Sequence, residues 1–176
     1  HANTTDNYSD AVTHNGSIWL VCGSGRTGYV TTAGNQPSFY THGSAHGTKR
    51  SCMFNSTPVG VSSDGYISYK SSITSGSLNG EDILITSGLT CYDIAQMGNY
   101  LCVVATKTDG TYLYYTDSVS TTSNWKYHKI LSKVVTPVGL VYANGLYLVA
   151  YMDSGNVRFW ASETLTGCGT STIQAD

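Results

Sequence analysis

The segment SSDGYISYK, residues 62–70, decides the fold, because it places a tight turn directly before a short strand. Asp64-Gly65 is a common turn pair, and the alternation of residue types over 66–69 is typical of a half-buried β-strand. The segment therefore predicts one β-hairpin. Whether the chain repeats this hairpin determines the architecture.

Similar segments do recur along the chain. They are TDGTYLYYT at 108–116, DSGNVRFWA at 153–161 and a looser copy, GSGRTGYVTT, at 23–32. Gly65, Gly110 and Gly155 are spaced 45 residues apart. A second element precedes three of these hairpins, since HNGSIWLVCGS, MGNYLCVVATK and ANGLYLVAYMD each place an Asn/Gly turn ahead of a strand that is apolar on both faces. The second unit keeps the spacing but has a weaker version of this strand, FNSTPVGVS. Such strands are expected in the middle of a packed array.

Each unit ends in a variable fourth segment, for example EDILITS or NWKYHKILS. Four strands in about 45 residues is the period of a β-propeller blade, a small sheet that buries its faces by stacking on its neighbours. The chain therefore predicts an all-β, propeller-like array of about four four-stranded blades without helix. We expect one domain over 1–176, with approximate repeats 1–49, 50–89, 90–132 and 133–176.

The repeat resembles the sialidase-type β-propeller repeat, also called the Asp-box or BNR-like repeat. Its motif reads Ser/Thr-x-Asp-x-Gly-x-x-Trp at a hairpin. Ser62, Asp64 and Tyr69 match the first, third and last positions, with Tyr in place of Trp, whereas Tyr66 stands where the motif has its glycine. The resemblance implies the propeller fold and covers most of the chain in period, with little of the strict motif.

The number of blades leaves three arrangements open. They are a closed four-bladed ring, an excerpt of a larger ring, and an open array that neighbouring chains complete.

Composition restricts the possible partners. The formal net charge is −2 and only 11% of residues are charged, which predicts neither a nucleic-acid nor an anionic-membrane partner. No apolar run approaches the roughly 18 residues of a membrane span. The chain has 22 Ser, 23 Thr, 19 Gly and 14 Tyr, which favours strands and turns and suits an extracellular or surface-exposed protein, secreted or virion-associated. The first residues, HANTTDNYSD, contain no initiator Met, so we expect a processed or excerpted chain.

Cysteines and sequons point in the same direction. Five cysteines show no CxxC pair, so disulfides are favoured over a zinc site, and Cys91 with Cys102 is the predicted pair because both flank a hairpin. One cysteine then stays free or pairs with another chain. Asn-x-Ser/Thr sequons, which make the chain a candidate glycoprotein, begin at Asn3, Asn7, Asn15 and Asn55.

Catalytic arrangements are not predicted, and neither is a metal or cofactor. A sialidase needs an arginine cluster, but Arg26, Arg50 and Arg158 occupy different points of their units. Asp64 and Asp109 fall in hairpins of separate blades, where Asp before Gly is ordinary turn chemistry. We therefore expect a protein that is not an enzyme.

Aromatic residues indicate a binding function instead. Flat aromatic faces beside carboxylates and hydroxyls bind sugar rings. The residues predicted to contact a glycan are Asp64, Tyr66, Tyr69, Asp109, Tyr112, Tyr114 and Trp160. The alternative for these rings is that they fill space between blades.

The sequence thus favours a non-enzymatic extracellular protein that binds a glycan or a cell surface. One alternative is a structural subunit of an extracellular filament, fibre or virion, which self-assembles through its repeats. A second alternative is a glycoside hydrolase of sialidase-like fold, or a fragment of one.

Overall fold

The chain folds into four antiparallel sheets of four strands each, and strands that are consecutive in sequence are neighbours in each sheet. The computed structural model describes residues 8–14, 17–22, 26–30, 38–41, 48–69, 83–119, 125–165 and 171–174. Within these ranges no helix occurs. The predicted all-β, propeller-like array of four four-stranded blades is confirmed.

The blades are numbered along the chain. The strands of the first and second blades are β1 (Tyr8–His14), β2 (Ser17–Cys22), β3 (Arg26–Val30), β4 (Ser38–Thr41), β5 (Thr48–Phe54), β6 (Thr57–Ser62), β7 (Tyr66–Tyr69) and β8 (Ile83–Leu84). The strands of the third and fourth blades are β9 (Thr90–Met97), β10 (Tyr100–Lys107), β11 (Gly110–Thr116), β12 (Lys126–Leu131), β13 (Thr136–Ala143), β14 (Leu146–Asp153), β15 (Asn156–Ser162) and β16 (Ser171–Gln174).

Two-residue turns join the first two strands of the later blades. At the turn between β13 and β14, Asn144 and Gly145 have φ values of 51° and 81°, and Asn55 and Ser56 have 47° and 64° at the turn between β5 and β6. Positive φ at both central positions is the signature of the type I′ turn, whose twist matches that of the flanking strands. The Asn/Gly signals in the sequence therefore mark the hairpins correctly.

The first strands of the blades lie side by side in chain order. β1 packs against β5, β5 against β9, and β9 against β13. Among the described strands, no comparable packing joins β13 back to β1. The described strands therefore form an open array rather than a closed four-bladed ring.

The third blade is buried on both faces. Leu101 and Val103 of β10 contribute to the core shared with the second blade, whereas Cys102 and Val104 contribute to the core shared with the fourth. All four side chains are fully buried. This explains why the sequence of β10 is apolar at consecutive positions.

Carboxylates of the first strands also join consecutive blades. Asp10 Oδ2 accepts from the Ser51 amide of the next blade at 2.8 Å, and Asp93 Oδ2 accepts from the Leu140 amide at 2.9 Å. Asp10 and Asp93 occupy equivalent positions, because each directly follows a register shift in its strand. These bonds are partly buried, and an amide left without a partner in a fully buried site would cost about 1–3 kcal/mol, which sets an upper limit here.

The predicted Cys91–Cys102 disulfide is wrong, since both thiols are free. Cys102 pairs across the hairpin with Ala95, four residues beyond Cys91, which is a separation of roughly 13 Å along the strand. Cys91 and Cys102 also belong to the cores on opposite faces of the sheet. Disulfide geometry requires Cα atoms within about 7 Å.

Candidate functional site

A cluster of tyrosines at the outer edge of the third blade forms the candidate site. Here the cluster is called the tyrosine patch, and it consists of Asp109, Tyr112, Tyr114, Tyr127 and Lys129. Cross-strand register assembles it, because β11 pairs with β12 so that Tyr114 lies opposite Tyr127 and Tyr112 opposite Lys129. Alternation then places these four side chains on one face of the sheet.

Tyr127 is the exposed ring of the patch, with 65% of its surface accessible, whereas Tyr112 and Tyr114 are buried. The Tyr127 ring meets Tyr112 at a centroid distance of 5.9 Å and an interplanar angle of 70°, and Tyr114 at 5.7 Å and 42°. These distances fall in the range of favourable aromatic pairs. Two buried rings therefore support one exposed ring.

Polar groups lie beside the buried Tyr112 ring of the patch. Asp109 Oδ2 accepts from the Tyr112 hydroxyl at 2.6 Å and from Lys129 Nζ at 2.9 Å. The Lys129 ammonium also lies 5.5 Å from the centroid of the Tyr112 ring, within cation–π range. The hydroxyl bond from Tyr112 and, next, the bond from Lys129 lower the pKa of Asp109, so this carboxylate is ionised at neutral pH. The same bond to Asp109 raises the pKa of Lys129, which keeps its charge.

Gly110 allows β12 to approach the Asp109 turn. A Cβ at this position would lie 2.5 Å from the Leu131 carbonyl oxygen and 2.5 Å from Lys129 Cε. No side chain larger than hydrogen fits unless the strand moves. The glycine of the repeated hairpin thus has a local function here, which is to let Lys129 reach Asp109.

The patch can bind a flat ligand that carries hydroxyl groups. The Tyr127 face offers apolar contact, the Asp109 carboxylate accepts hydrogen bonds, and the Lys129 ammonium donates them. Burial, and then the neighbouring Tyr112 and Tyr127 hydroxyls, raise the pKa of Tyr114 to about 12, so its ring stays neutral. The bond to Asp109 raises the pKa of Tyr112, so its hydroxyl stays protonated at neutral pH.

The structure brings together only some of the residues predicted from the sequence. Asp109, Tyr112 and Tyr114 belong to the patch, but the rings of Tyr112 and Tyr114 lie within the core shared with the second blade and serve as its support. Trp160 is fully buried in the other core, beside His128 at a centroid distance of 6.1 Å. It therefore offers no face to a ligand.

Asp64, Tyr66 and Tyr69 lie on the second blade. Ser62 Oγ bonds to the Asp64 carboxylate and accepts from the Tyr66 amide at 2.9 Å. These bonds order the turn of the Asp-box-like segment. Tyr69 packs against the core between the second and third blades. The second-blade residues thus have local structural contacts, and none is part of the tyrosine patch.

Sequence reasoning missed Tyr127 and Lys129 as binding residues. The available signal was the alternation in NWKYHKILS, in which Tyr127 and Lys129 alternate with His128 and Ile130. Ile130 is fully buried on the opposite side, in the core shared with the fourth blade. An exposed face for Tyr127 and Lys129 follows from that alternation.

The remaining predicted sites are placed as follows. Asn55 is exposed in the β5–β6 turn, and its backbone amide donates to Gln96 Oε1 at 3.2 Å. Asn3, Asn7 and Asn15 lie outside the described residues. Within the described ranges, no group of three or more His, Cys, Asp or Glu side chains is arranged to hold a metal ion. The same part of the chain contains no helix long and apolar enough to cross a membrane.

Comparisons with solved structures identify similar β-propellers. YCF48 bound to D1 peptide aligns with 89% of this chain and 49% of its own, at a TM-score of 0.61 and 14% identity. YCF48 from Cyanidioschyzon merolae aligns with 99% of this chain and 61% of its own, at a TM-score of 0.61 and 9% identity. The computationally designed Ika4 protein aligns with 89% of this chain and 91% of its own, at a TM-score of 0.60 and 14% identity.

These likenesses show the propeller fold alone, because identities are low. The chain spans about half of the YCF48 chain captured with peptide, 49% of its length. No protein-family model matches the chain, and no curated protein matches it. The propeller-type repeat expected from the Asp-box resemblance is thus supported, whereas membership of the sialidase family is not.

Proposed function

We propose that this protein is a non-enzymatic binding module of extracellular or surface-exposed setting, and that it takes a glycan at the tyrosine patch. The observation that carries the proposal is the exposed Tyr127 ring, held by two buried tyrosines beside the Asp109–Lys129 ion pair.

A sugar suits this geometry better than a purely apolar ligand. One face of a pyranose ring is a set of C–H groups that packs on an aromatic ring, while its hydroxyls project sideways to polar groups. Asp109 and Lys129, which are 2.9 Å apart, offer an acceptor and a donor at the border of the patch. The pair is solvent-exposed, so we expect it to contribute specificity more than affinity.

The fold supports a binding role at a coarser level. YCF48, which shares the fold at low identity, has been captured with D1 peptide. That complex belongs to YCF48, and it makes a peptide the main competing class of ligand for this chain.

The test is a glycan-array screen followed by titration calorimetry of the best glycan, with Tyr127→Ala as the principal variant. We expect Tyr127→Ala to weaken binding about tenfold or more, which corresponds to roughly 1.4 kcal/mol. Asp109→Asn keeps the shape of the side chain and removes its charge, so it should weaken binding less and alter the preference among glycans.

Tyr142→Ala is the matched control, because Tyr142 is also a partly exposed tyrosine, 41% accessible, and lies on the fourth blade. Binding should be unchanged in this variant. Absence of binding to every glycan at about 100 μM by folded protein, or equal binding by wild type and Tyr127→Ala, would reject the proposal. Binding of peptides at Tyr127 without any glycan binding would replace it with the competing class.

A further inference from the structure

The fourth blade exposes an apolar sheet face. Val141 of β13 is 51% accessible and Val157 of β15 is 47% accessible, while Leu148, Ala150 and Phe159 are partly exposed between them. Cross-strand pairs place these side chains on one side of the sheet, since Val141 lies opposite Leu148 and Ala150 opposite Phe159. We call this surface the open face.

The opposite side of the same sheet packs on the third blade. Tyr147, Val149 and Trp160 contribute to the core between those two blades, and all are buried. The open face is therefore the side directed away from the array. Nothing among the described residues packs a further sheet on it.

The open face is the repeat equivalent of a blade-to-blade interface. Counting from the hairpin turns, Leu148 holds the position of Cys102, Ala150 that of Val104, and Phe159 that of Leu113. Those three residues of the third blade are fully buried against the fourth blade.

The second blade shows the same arrangement. Val59, Val61 and Ile67 hold these positions there and are fully buried against the third blade. In both earlier blades this face is covered by the sheet of the next blade. The fourth blade therefore presents an interface built for a following sheet.

By register, the matching positions belong to the first blade. Each covered face is packed by the second strand of the following blade. In the third blade this strand is β10, and the side chains that cover the second blade are Leu101 and Val103. Ile18 and Leu20 occupy the same register positions in β2. Because no comparable packing joins β13 to β1 among the described strands, the first blade of the same chain does not cover the open face there.

We propose that a second copy of this chain covers the open face, with its first blade packed on the fourth blade. Two copies related by a two-fold axis then form one closed ring of eight blades, in which the same heterologous contact occurs twice. Eight blades fall within the usual range of 4 to 8 for propellers. This inference is independent of the glycan proposal, since it uses a different blade and different residues.

The junction between copies relies on apolar packing. Gly139 stands at the position of Asp10 and Asp93, so the fourth blade lacks the carboxylate that bonds to the next blade. The amide that would donate such a bond is that of Ala11, and it already donates to Asp10 Oδ1 of its own blade at 2.9 Å. No charged pair is required, and the association should depend little on salt.

Sedimentation velocity over a concentration series tests the proposal on the full chain. We expect wild type to reach twice the 18.8 kDa mass of one chain, with little change in dissociation constant between low and high salt. Val141→Asp places a charge on the open face and should raise the dissociation constant about tenfold or more. Val157→Asp provides a second, independent variant on the same face, in case Val141→Asp does not fold.

Val134→Asp is the matched control, because Val134 is 53% accessible and lies in the connection between β12 and β13, off the open face. Its mass should equal that of wild type. A wild-type chain that stays monomeric up to about 100 μM would overturn the proposal. An open-ended series of larger masses would overturn it as well, since the contact would then propagate instead of closing. Dimers that persist in both Asp variants would place the interface elsewhere.

Discussion

Leu113→Ala is expected to lower the free energy of unfolding by about 2–5 kcal/mol. Leu113 is fully buried in the core between the third and fourth blades, with Val104 and His128 as its cross-strand neighbours. Full burial of a leucine side chain contributes roughly 1.5–3 kcal/mol by transfer from water, and the cavity left between two rigid sheets adds to the loss. For a chain of this length, about 2–4 °C of melting temperature accompanies each kcal/mol.

Urea denaturation followed by tryptophan fluorescence measures this loss, with thermal unfolding as a second readout. Val134→Ala is the control, since Val134 is exposed and its truncation should change stability by no more than about 0.5 kcal/mol. A loss below about 1 kcal/mol for Leu113→Ala would refute the reasoning, because the two sheets would then not share a tight core at this position.

Three further substitutions or measurements follow from individual sites. Burial raises the pKa of Asp93, and the hydrogen bond from the Leu140 amide offsets only part of this increase. The folded pKa therefore exceeds the unfolded one, and the contribution of this group to stability is greatest in acid and declines as pH rises through the folded pKa. Asp93→Asn should thus lose less stability than wild type between about pH 4 and pH 7 in urea titrations, and parallel curves would contradict this. Burial raises the pKa of the Cys91 thiol to about 12, so this thiol should react with a thiol reagent only on unfolding. Rapid modification of the native protein, or a peptide map that links Cys91 to another cysteine, would contradict this prediction. Gly145→Ala should lower the free energy of unfolding in denaturant by about 1–2 kcal/mol, because φ is 81° at this position. No neighbouring atom lies within 4 Å of the added Cβ, so the loss would come from the backbone alone. An unchanged midpoint would show that the turn relaxes.

The repeat made the architecture predictable from the sequence. Two-residue Asn/Gly turns fix where each hairpin reverses, and the strands that follow them are apolar at consecutive positions because both faces are covered. In the third blade, for example, Leu101 and Cys102 are adjacent in sequence and fully buried in different cores. A sequence with this pattern has few alternatives to stacked sheets.

The faces of individual side chains were less predictable. Gly110 and Gly155 are 45 residues apart, but pairing across the hairpins makes Gly110 equivalent to Asn156, one residue later. A shift of one residue transfers a side chain to the opposite face of a strand. In β11 both faces are covered, since all seven residues are buried, so Tyr112 and Tyr114, predicted to contact a glycan, support Tyr127 instead.

The cysteines illustrate the same limitation. Cys91 and Cys102 flank one hairpin in sequence, but the two strands are each eight residues long, and a hairpin brings together only residues at equal distance from its turn. Cys102 lies two residues from Tyr100 at the turn, whereas Cys91 lies six residues from Met97. Distance from the turn, rather than sequence separation, was the relevant quantity.

Hydrogen exchange of the Leu140 amide, measured by NMR in wild type and in Asp93→Ala, tests whether consecutive blades are joined in chain order. Leu140 belongs to the fourth blade, and its amide donates to a carboxylate of the third blade at 2.9 Å. We expect slow exchange in wild type and acceleration of about tenfold or more in Asp93→Ala, with the amide of Val149 in β14 unchanged. Rapid exchange of Leu140 in the wild-type protein would contradict the account, because the fourth blade would then not be packed on the third as described.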